Sequence, residues 1–467
     1  MKTPERRSLP RATTTRRDFL RTTAGAAAAV TLVVPAVHAA QENTIKIALV
    51  GCGSRGSGAT ANALSTKGPV KLWAMADAFQ PRLQASLKAL GGQFGKQVEV
   101  PLGRQFVGLD AYQKAIDAVA PGGVVLLATP PAFRPIHFEH AVQKGCHVFM
   151  EKSFAVDAPG VRRVLRAGEL AAQKNLKVAG GLMWRHDKPR EEVIQRIHDG
   201  AIGEIILLRT YRMHGPWGGH TRPAGMRELE YHLTYWLNFT WAGNGFLAEA
   251  MVHNIDVCCW AKNAWPIAAQ GQGGRLALTQ PGQWYDHYNV EYFFADGTRL
   301  LAQGRHMNYC WDIYSDFAHG TKGSAVIMES LAAPNPRIYR SQLQTRENET
   351  WRYCGRQPNP YEPGGRPFEN LRQSGNPYQV EHDLLFDAIR QDKPHNEAQR
   401  CAMAAMTAIM GRMAAYSGQR VTWEQALRSN LELAPGLESY TWNSTPPVLP
   451  DKQGRYPIPI PGMVKAF

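Results

Sequence analysis

The stretch that decides the fold is TIKIALVGCGSRG, Thr44–Gly56, in which an apolar run leads directly into a glycine-rich turn. The apolar residues indicate a buried strand, and an alanine-rich helical segment follows the turn. In a strand–turn–helix context the first glycine permits the tight turn, the second lets the backbone approach a pyrophosphate, and the third lets helix pack on strand. The pattern therefore predicts a Rossmann dinucleotide-binding unit. Its expected cofactor-binding residues are Gly51, Gly53, Ser54, Arg55 and Gly56.

A carboxylate follows the second predicted strand. Residues 70–76 are predicted to form a second strand, which ends at Asp77, 21 residues beyond Gly56. A carboxylate at this place accepts hydrogen bonds from the ribose hydroxyls of adenosine and repels a 2′-phosphate. Asp77 therefore favours NAD as the cofactor, and NADP stays as the alternative because Arg82 is nearby.

Two further strands bring polar residues to the same edge of the predicted sheet. Gly123–Ala128 is a nearly continuous apolar run, as expected for a central parallel strand, and Cys146–Met150 is the next strand along the chain. The carboxyl ends of parallel strands meet at the edge where ligands bind. The residues expected there are Thr129, Pro130, Glu151 and Lys152. Lys152 should project toward the nicotinamide end of the crevice.

The first 40 residues have the pattern of an export signal. A twin-arginine motif, TRRDFL, is followed by an uncharged run over residues 22–37 and by small residues before Ala40. We expect export by the twin-arginine route to the periplasm or cell envelope, and no stable membrane insertion. The alternative is an uncleaved membrane anchor, although the run is shorter than the ~20 residues that a span needs.

Charge and cysteine content argue against several classes of partner. The chain carries a net charge of +14, and the first 40 residues hold seven Lys/Arg and two Asp/Glu, so the remainder carries about +9. No basic tract with interleaved aromatic residues remains, which argues against nucleic-acid binding. Seven scattered cysteines without a CxxC pair argue against a disulfide scaffold or a zinc site. His214 and His220 have no carboxylate partner nearby, so we expect no metal site.

Four motifs together resemble the Gfo/Idh/MocA oxidoreductases, and the twin-arginine-exported branch in particular. They are GxGxxG at Gly51, TPP at Thr129, FMEKS at Phe149–Ser153 and EAMVHNID at Glu249–Asp256. The resemblance covers nearly all of the chain after the signal. It implies an α/β protein, in which a Rossmann domain precedes a second α/β domain with a large, open, mostly antiparallel sheet. In that family the exposed sheet face often mediates dimers or tetramers, so a homo-oligomer is expected.

Domain boundaries follow from these motifs and from composition. We expect a signal peptide at 1–40, an NAD-binding Rossmann domain at 41–155, a substrate and oligomerisation domain at 156–445, and a proline-rich extended tail at 446–467. Helices between 378 and 417 are expected to pack back toward the N-terminal domain. The stretch 332–377, rich in Pro, Gly and Asn, is interpreted as surface loops.

The chemistry is expected at three residues. Glu249 and His253 are four residues apart on a helix predicted over 245–256, so they share a face, and Asp256 lies three further on. The resemblance places Lys152, Glu249 and His253 around the substrate carbon. Oxidation of a CH–OH group needs removal of the hydroxyl proton, which suits His253 as general base, with Glu249 holding its protonated form and Lys152 stabilising the alkoxide. The alternatives are a surface Glu–His pair and a structural ion pair for Lys152.

Other positions are expected to contact substrate or to alter the site. Aromatic rings stack on sugar C–H surfaces, so Trp217 and Tyr231 are candidates from an aromatic-rich segment, with packing under a long loop as the alternative. The resemblance adds Arg185 and His186, and Asp256 completes the set. Where the family usually has Glu-Lys-Pro, this chain has Ser153. Because a cis peptide costs more without proline, we expect a trans bond there and a slightly re-aimed Lys152.

Three functions remain open from the sequence. Free NAD is scarce outside the cytoplasm, so a tightly bound, internally recycled nucleotide is expected. The first reading is an oxidoreductase that passes hydride between carbohydrates or polyols, as the resemblance to glucose–fructose oxidoreductases implies. The second is a redox-neutral NAD-dependent glycoside hydrolase. It would oxidise C3 of the sugar, eliminate the aglycone, add water and return the hydride to C3. The extra base that it needs would be Tyr231, His186 or His306. The third is a non-catalytic NAD-dependent sugar-binding protein.

Overall fold

The computed structural model describes residues 43–217, 220–330, 335–355, 375–465 and 467. The predicted signal peptide lies outside these residues, as does much of the stretch 332–377. Among the residues that are described, no helix is both long enough and apolar enough to cross a membrane.

The first sheet has six strands, paired in parallel in the order β3-β2-β1-β4-β5-β6. Its strands are β1 (Ile45–Val50), β2 (Val70–Asp77), β3 (Gln105–Val107), β4 (Val124–Leu127), β5 (His147–Met150) and β6 (Val178–Gly180). The strand order reverses direction at β1, so a crevice opens between the carboxyl ends of β1 and β4. Ligands bind at such a point in doubly wound sheets.

Helices cover both faces of this sheet. They are α1 (Ser54–Leu64), α2 (Gln80–Phe94), α3 (Ala111–Asp117), α4 (Arg134–Gln143) and α5 (Ala158–Gln173). Ile47 and Leu49 of β1 enter one hydrophobic cluster, whereas Ala48 and Val50 enter another. Both faces of the strand are therefore buried, as its continuous apolar run predicts.

The first sheet extends further along the chain than the sequence suggested. After β5 the chain forms α5, whose N-terminus is capped by the Asp157 side chain accepting from Gly160 N at 2.8 Å. It then returns to pair β6 with β5 in parallel. The boundary predicted at residue 155 therefore falls before the last helix and strand of this layer.

The second sheet has nine strands in the order β14-β13-β12-β11-β7-β10-β9-β8-β15. Its strands are β7 (Ile205–His214), β8 (Ala268–Gly274), β9 (His287–Phe293), β10 (Arg299–His306), β11 (Ile313–Gly320), β12 (Ser324–Met328), β13 (Arg337–Tyr339), β14 (Glu349–Arg352) and β15 (Val421–Thr422). The β7–β10 pair is parallel and the other described pairs are antiparallel. The expected α/β fold with a large, mostly antiparallel second sheet is confirmed.

Strands β13 and β14 correct the interpretation of 332–377 as loops. Both strands are short, three and four residues long, and lie at the edge of the sheet. Neither is long enough to show the alternation of apolar and polar residues that identifies a strand in sequence. Their pairing depends on the neighbouring β12, which the local sequence does not reveal.

The remaining α-helices of the described residues follow β6 along the chain. They are α6 (Lys188–His198), α7 (Glu228–Thr234), α8 (Thr240–Gly243), α9 (Gly245–Glu249), α10 (Val252–Lys262), α11 (Pro377–Arg390), α12 (Ala398–Ser417) and α13 (Trp423–Arg428). Leu385 and Phe386 of α11 belong to the hydrophobic cluster of the first sheet, and Asn62 Nδ2 of α1 donates to Gln379 Oε1 at 3.0 Å. The helices predicted between 378 and 417 thus pack against the nucleotide-binding half.

The proline-rich tail lies against the second half of its own chain. Tyr456 is buried beside the Phe239 ring, with centroids 4.9 Å apart, and its hydroxyl donates to the Glu228 carboxylate. Tyr285 Oη donates to Pro459 O at 2.6 Å. These contacts fix the tail along much of its length.

Candidate functional site

The three glycines of the β1–α1 turn differ in what surrounds them. A Cβ at Gly51, where φ is +98°, would lie 2.6 Å from Ala128 C, and one at Gly56 would lie 1.9 Å from Gly51 O. A Cβ at Gly53 would meet nothing within 4 Å. The first and third glycines are therefore needed for close packing of the backbone. The second leaves open space beside the start of α1, which is where a phosphate group would bind.

A cleft of about 680 Å³, partly open to solvent, lies beside this turn. It is formed by the carboxyl ends of β1, β2 and β4 together with the segment that follows α7. Residues that line it include Gly51, Gly53, Asp77, Phe79, Arg82, Thr129, Pro130, Leu233 and Trp236. The structure therefore brings the predicted glycine turn, Asp77 and the TPP turn to one cleft.

Asp77 is held rigidly at the end of β2. Its carboxylate accepts from Cys52 N at 2.6 Å and from Phe79 N at 2.8 Å. Burial raises the pKa of Asp77, and the two amide hydrogen bonds oppose that rise. The neighbouring Arg82 donates through Nη2 to Thr234 O at 3.0 Å, so its guanidinium is engaged by the chain itself.

The predicted cofactor residues Arg55 and Glu151 pair with each other. Arg55 Nε lies 2.8 Å from Glu151 Oε1, and the guanidinium stacks on the Tyr378 ring at 4.5 Å. Glu151 is buried, whereas Ser54 at the start of α1 is exposed. The ion pair ties the start of α1 to the end of β5.

Arg134 is a residue of this edge that sequence reasoning missed. It is fully buried, and it donates through Nε to Glu151 O at 2.9 Å and through Nη2 to Thr129 O at 2.5 Å. Burial lowers the pKa of Arg134 to about 10, which leaves it charged at neutral pH. It fixes the ends of β4 and β5 relative to each other. A lone arginine after the TPP turn gave no sequence signal for this role.

Lys152 meets Glu249 across 97 residues of chain. Its Nζ forms an ion pair with the Glu249 carboxylate and donates to Glu249 O at 2.9 Å. Burial raises the pKa of Glu249, and the charge of Lys152 opposes that rise. Lys152 is thus held in place by the end of α9, close to the carboxyl edge of the first sheet.

The peptide between Lys152 and Ser153 is cis, so the expectation of a trans bond was wrong. Ser153, at the position where the resemblance leads one to expect proline, is fully buried. Its hydroxyl donates to Ala248 O and lies 3.3 Å from Glu249 Oε2. Ser153 therefore adds polar contacts to α9 that a proline would lack.

The single helix predicted over 245–256 is interrupted. Helix α9 ends at Glu249 and α10 begins at Val252, with Met251 as its N-terminal cap residue. Glu249 and His253 are both buried, with 4% and 7% of their surfaces exposed, so the alternative of a surface ion pair was wrong.

His253 lies among positive charges. Burial lowers its pKa well below the ordinary value of 6.5, and the charges of Lys152, Arg212 and Arg190 lower it further. Its Nδ1 is buried with no hydrogen-bond partner among the described residues. The side chain of Glu249 hydrogen-bonds Lys152 and Ser153, so the expected role of holding protonated His253 is corrected to holding Lys152.

Three predicted substrate residues contact other side chains of the protein instead. Arg185 binds the Asp256 carboxylate side-on, through Nε at 2.8 Å and Nη2 at 2.7 Å. His186 Nε2 lies 3.7 Å from Glu397 Oε1, and burial lowers its pKa to about 4. The Arg185–Asp256 pair is satisfied within the protein, whereas His186 Nε2 is buried with no hydrogen-bond partner among the described residues.

The two aromatic residues predicted to contact substrate differ in their exposure. Tyr231 is fully buried and donates its hydroxyl to His220 O at 2.7 Å, which matches the packing alternative. Trp217 is 37% exposed, and its ring stacks on His214 at 4.5 Å. Only Trp217 of the pair keeps a ring surface that a ligand can reach.

Arg212 is a second residue that sequence reasoning missed. It lies on β7, and its Nη1 donates to Ala250 O at 3.0 Å and to Tyr314 Oη at 3.2 Å. Its guanidinium lies 5.1 Å from the Trp217 ring. The contact with Ala250 brings β7 to the end of α9, where Lys152 also binds.

No family model matches this chain. Among curated proteins, the chain is similar to the inositol 2-dehydrogenase of Rhizobium meliloti (strain 1021), with 24% identity over 311 residues. The match covers 66% of this chain and 81% of that protein.

Solved structures share the architecture. The WlbA dehydrogenase from Bordetella pertussis, in complex with NADH and UDP-GlcNAcA, has a TM-score of 0.61 at 17% identity, covering 82% of this chain and 98% of that one. The aldose-aldose oxidoreductase from Caulobacter crescentus, complexed with glycerol, has a TM-score of 0.58 at 16% identity, covering 81% and 99%. The chain has the two-sheet α/β fold of these proteins.

Proposed function

We propose that the protein is a Gfo/Idh/MocA-type oxidoreductase that acts on a CH–OH group of a carbohydrate or polyol with a nicotinamide nucleotide. The observation that carries this proposal is the ion pair of Lys152 with Glu249 beside the carboxyl edge of the glycine-turn sheet, together with the buried His253, whose pKa the charge of Lys152 lowers. The similarity to an inositol 2-dehydrogenase and to an aldose-aldose oxidoreductase supports a polyhydroxylated substrate.

The cleft fits such a nucleotide, and NAD better than NADP. Gly53 leaves open backbone for the pyrophosphate, and Asp77 presents a fixed acceptor to ribose hydroxyls. Arg82, the residue that would favour a 2′-phosphate, is bound to Thr234 O. When bound, the nicotinamide supplies the hydride acceptor for oxidation and the hydride donor for reduction.

The side chains divide the remaining chemistry. Lys152 donates a hydrogen bond to the reacting oxygen and stabilises the negative charge that develops as its proton leaves. Glu249 holds Lys152 in position and balances its charge. His253 is neutral because of its lowered pKa, so it can accept the hydroxyl proton.

The contacts of the candidate extra bases disfavour glycoside hydrolysis. Tyr231 donates a hydrogen bond from its hydroxyl to the backbone carbonyl of His220, and His186 faces Glu397. His306 is buried among aromatic rings, and burial with the charge of Arg212 lowers its pKa to about 2. None of the three is placed to remove a second proton from a sugar, which leaves net hydride transfer as the function the geometry supports best.

The proposal includes a tightly bound nucleotide that a second substrate resets. It rests on the twin-arginine motif of the sequence, because an exported enzyme meets little free NAD. An envelope location and a homo-oligomeric state belong to the same proposal. Their support is the signal-like N-terminus and the resemblance in sequence, respectively.

Nucleotide content is the test. The purified protein is denatured without added cofactor, and the released nucleotide is identified by mass. About one NAD per chain supports a bound, recycled cofactor. An empty protein that reduces added NAD with polyols contradicts recycling alone, and an empty protein that does not bind NAD contradicts the whole proposal.

The pH dependence of kcat/KM tests His253 as the base. Because the pKa of His253 lies well below 6.5, the side chain stays neutral down to pH 6.5 and loses its function only as the pH falls through that lower pKa. We expect kcat/KM to be flat from pH 6.5 to about pH 8 and to fall only at lower pH. If kcat/KM of the native protein falls on the acid side with a midpoint at or above pH 6.5, this assignment is contradicted.

A charge-removing variant sharpens this test. The positive charge of Arg212 is one cause of the lowered pKa of His253, so Arg212→Gln should move the acid limb to higher pH. Arg212→Lys keeps the charge and should leave the limb near its native position.

A further inference from the structure

Arg212 and Lys152 bind consecutive carbonyl groups at the end of one short helix. Lys152 Nζ donates to Glu249 O at 2.9 Å, and Arg212 Nη1 donates to Ala250 O at 3.0 Å. Both charges lower the pKa of His253. A substrate held between Lys152 and His253 is therefore close to the guanidinium of Arg212.

One edge of this guanidinium is unused. The hydrogen bonds of Arg212 to described residues all come from Nη1, and Nε is a buried donor without a partner among them. A buried unpaired donor is unfavourable, by roughly 1–3 kcal/mol, unless a ligand oxygen binds it. Nε and Nη2 form the edge that binds planar carboxylates side-on. Arg185 shows that geometry within this chain, with its Nε and Nη2 bound to Asp256.

Among the residues that the structure describes, no carboxylate contacts the charge of Arg212. Lys152 is paired with Glu249, and Arg190 is paired with Asp187. Burial raises the pKa of Asp316, and the charge of Arg212 is among the effects that oppose that rise. The Asp316 carboxylate nevertheless accepts its hydrogen bonds from Thr210 and Asn254. Within the described part of the chain, Arg212 itself contacts only neutral oxygens and aromatic rings.

The two arginines of strand β7, Arg209 and Arg212, lie on opposite faces of the strand. Leu208 and Thr210 are fully buried, and Arg212 follows them on the same face by the two-residue period of a strand. Arg209 lies on the opposite face, where its Nε donates to His319 Nε2 at 2.9 Å. Arg209 therefore offers a matched control.

We propose that the substrate carries a carboxylate that binds the Nε–Nη2 edge of Arg212, so that the substrate class is the sugar acids rather than neutral sugars or polyols. This inference rests on the proposed function and narrows it. The accessible ring of Trp217, 5.1 Å from the guanidinium, provides an apolar surface for the C–H face of the same molecule.

Calorimetric titration of the NAD-loaded protein tests the proposal with matched pairs. Glucuronate is compared with glucose, galacturonate with galactose, and gluconate with glucitol, since each pair differs mainly in the carboxylate. We expect at least one acid to bind roughly 10- to 100-fold more tightly than its neutral partner. Arg212→Gln should remove that preference.

Two further variants complete the design. Arg212→Lys keeps the charge without the planar fork and should retain part of the preference, whereas Arg209→Gln should behave as the native protein. Melting temperature and NAD content show which variants are folded and loaded. The proposal is overturned if the native protein binds every neutral partner as tightly as its acid, or more tightly. It is also overturned if the native protein binds no acid more tightly than the Arg212→Gln variant does. A protein that binds no NAD overturns the proposed function instead, and the two failures are thereby distinguished.

Discussion

Replacement of Lys152 by Met is expected to lower kcat by at least about 10³-fold while NAD remains bound. The lysine is the cation placed to stabilise developing negative charge on the reacting oxygen, and donors of this kind contribute about 10²–10³-fold each. Its ammonium also fixes the geometry between the end of β5 and the end of α9, which adds to the loss. Steady-state turnover with the preferred substrate, and nucleotide content after denaturation, measure the two outcomes.

The Lys152→Met protein also leaves Glu249 buried without its partner. Removing one member of a buried ion pair destabilises a protein by about 3–5 kcal/mol, and protonation of Glu249, whose pKa burial already raises, reduces that cost. The double variant Lys152→Met/Glu249→Gln is the matched control, because it removes both charges. It should recover most of the melting temperature and none of the turnover. Activity of Lys152→Met within tenfold of native would contradict the assignment of Lys152.

The parts of the site that local sequence encodes were predictable. The glycine turn, Asp77 and the two strand ends follow from an apolar strand, its flanking turn and the rule that parallel strands end at one edge. Gly51, Asp77 and Thr129 all line the same cleft, as that rule requires. The two-sheet fold was also predictable, although for the second sheet the prediction came from the resemblance.

The parts that depend on tertiary partners were not predictable. Arg134 and Arg212 gain their roles from carbonyl groups on other elements, which spacing along the chain does not reveal. The same limit explains Glu249: helical spacing paired it with His253, whereas the break after α9 and the approach of β5 paired it with Lys152. Arg185 and Asp256, 71 residues apart, neutralise each other for a similar reason.

The glycine turn provides the sharpest test of the cofactor site. Gly53→Ala adds a Cβ that meets nothing within 4 Å, at a φ of −71° that alanine adopts readily. The free energy of unfolding without nucleotide should therefore stay within about 0.5 kcal/mol of the native value. The same methyl group occupies the space through which a pyrophosphate would approach the backbone. We therefore expect NAD affinity to fall by roughly 100-fold, as measured by titration of nucleotide-free protein, which is about 2.7 kcal/mol.

Gly56→Ala is the matched contrast, because its Cβ would lie 1.9 Å from Gly51 O, a backbone atom that cannot move without displacing the turn. This variant should lose both stability and NAD binding, with a cost of about 3 kcal/mol or more, at or above the upper end for overpacking. The two variants together separate packing from ligand contact at positions three residues apart. If Gly53→Ala binds NAD with native affinity, the pyrophosphate does not lie on this turn, and the nucleotide-dependent function proposed here fails with it.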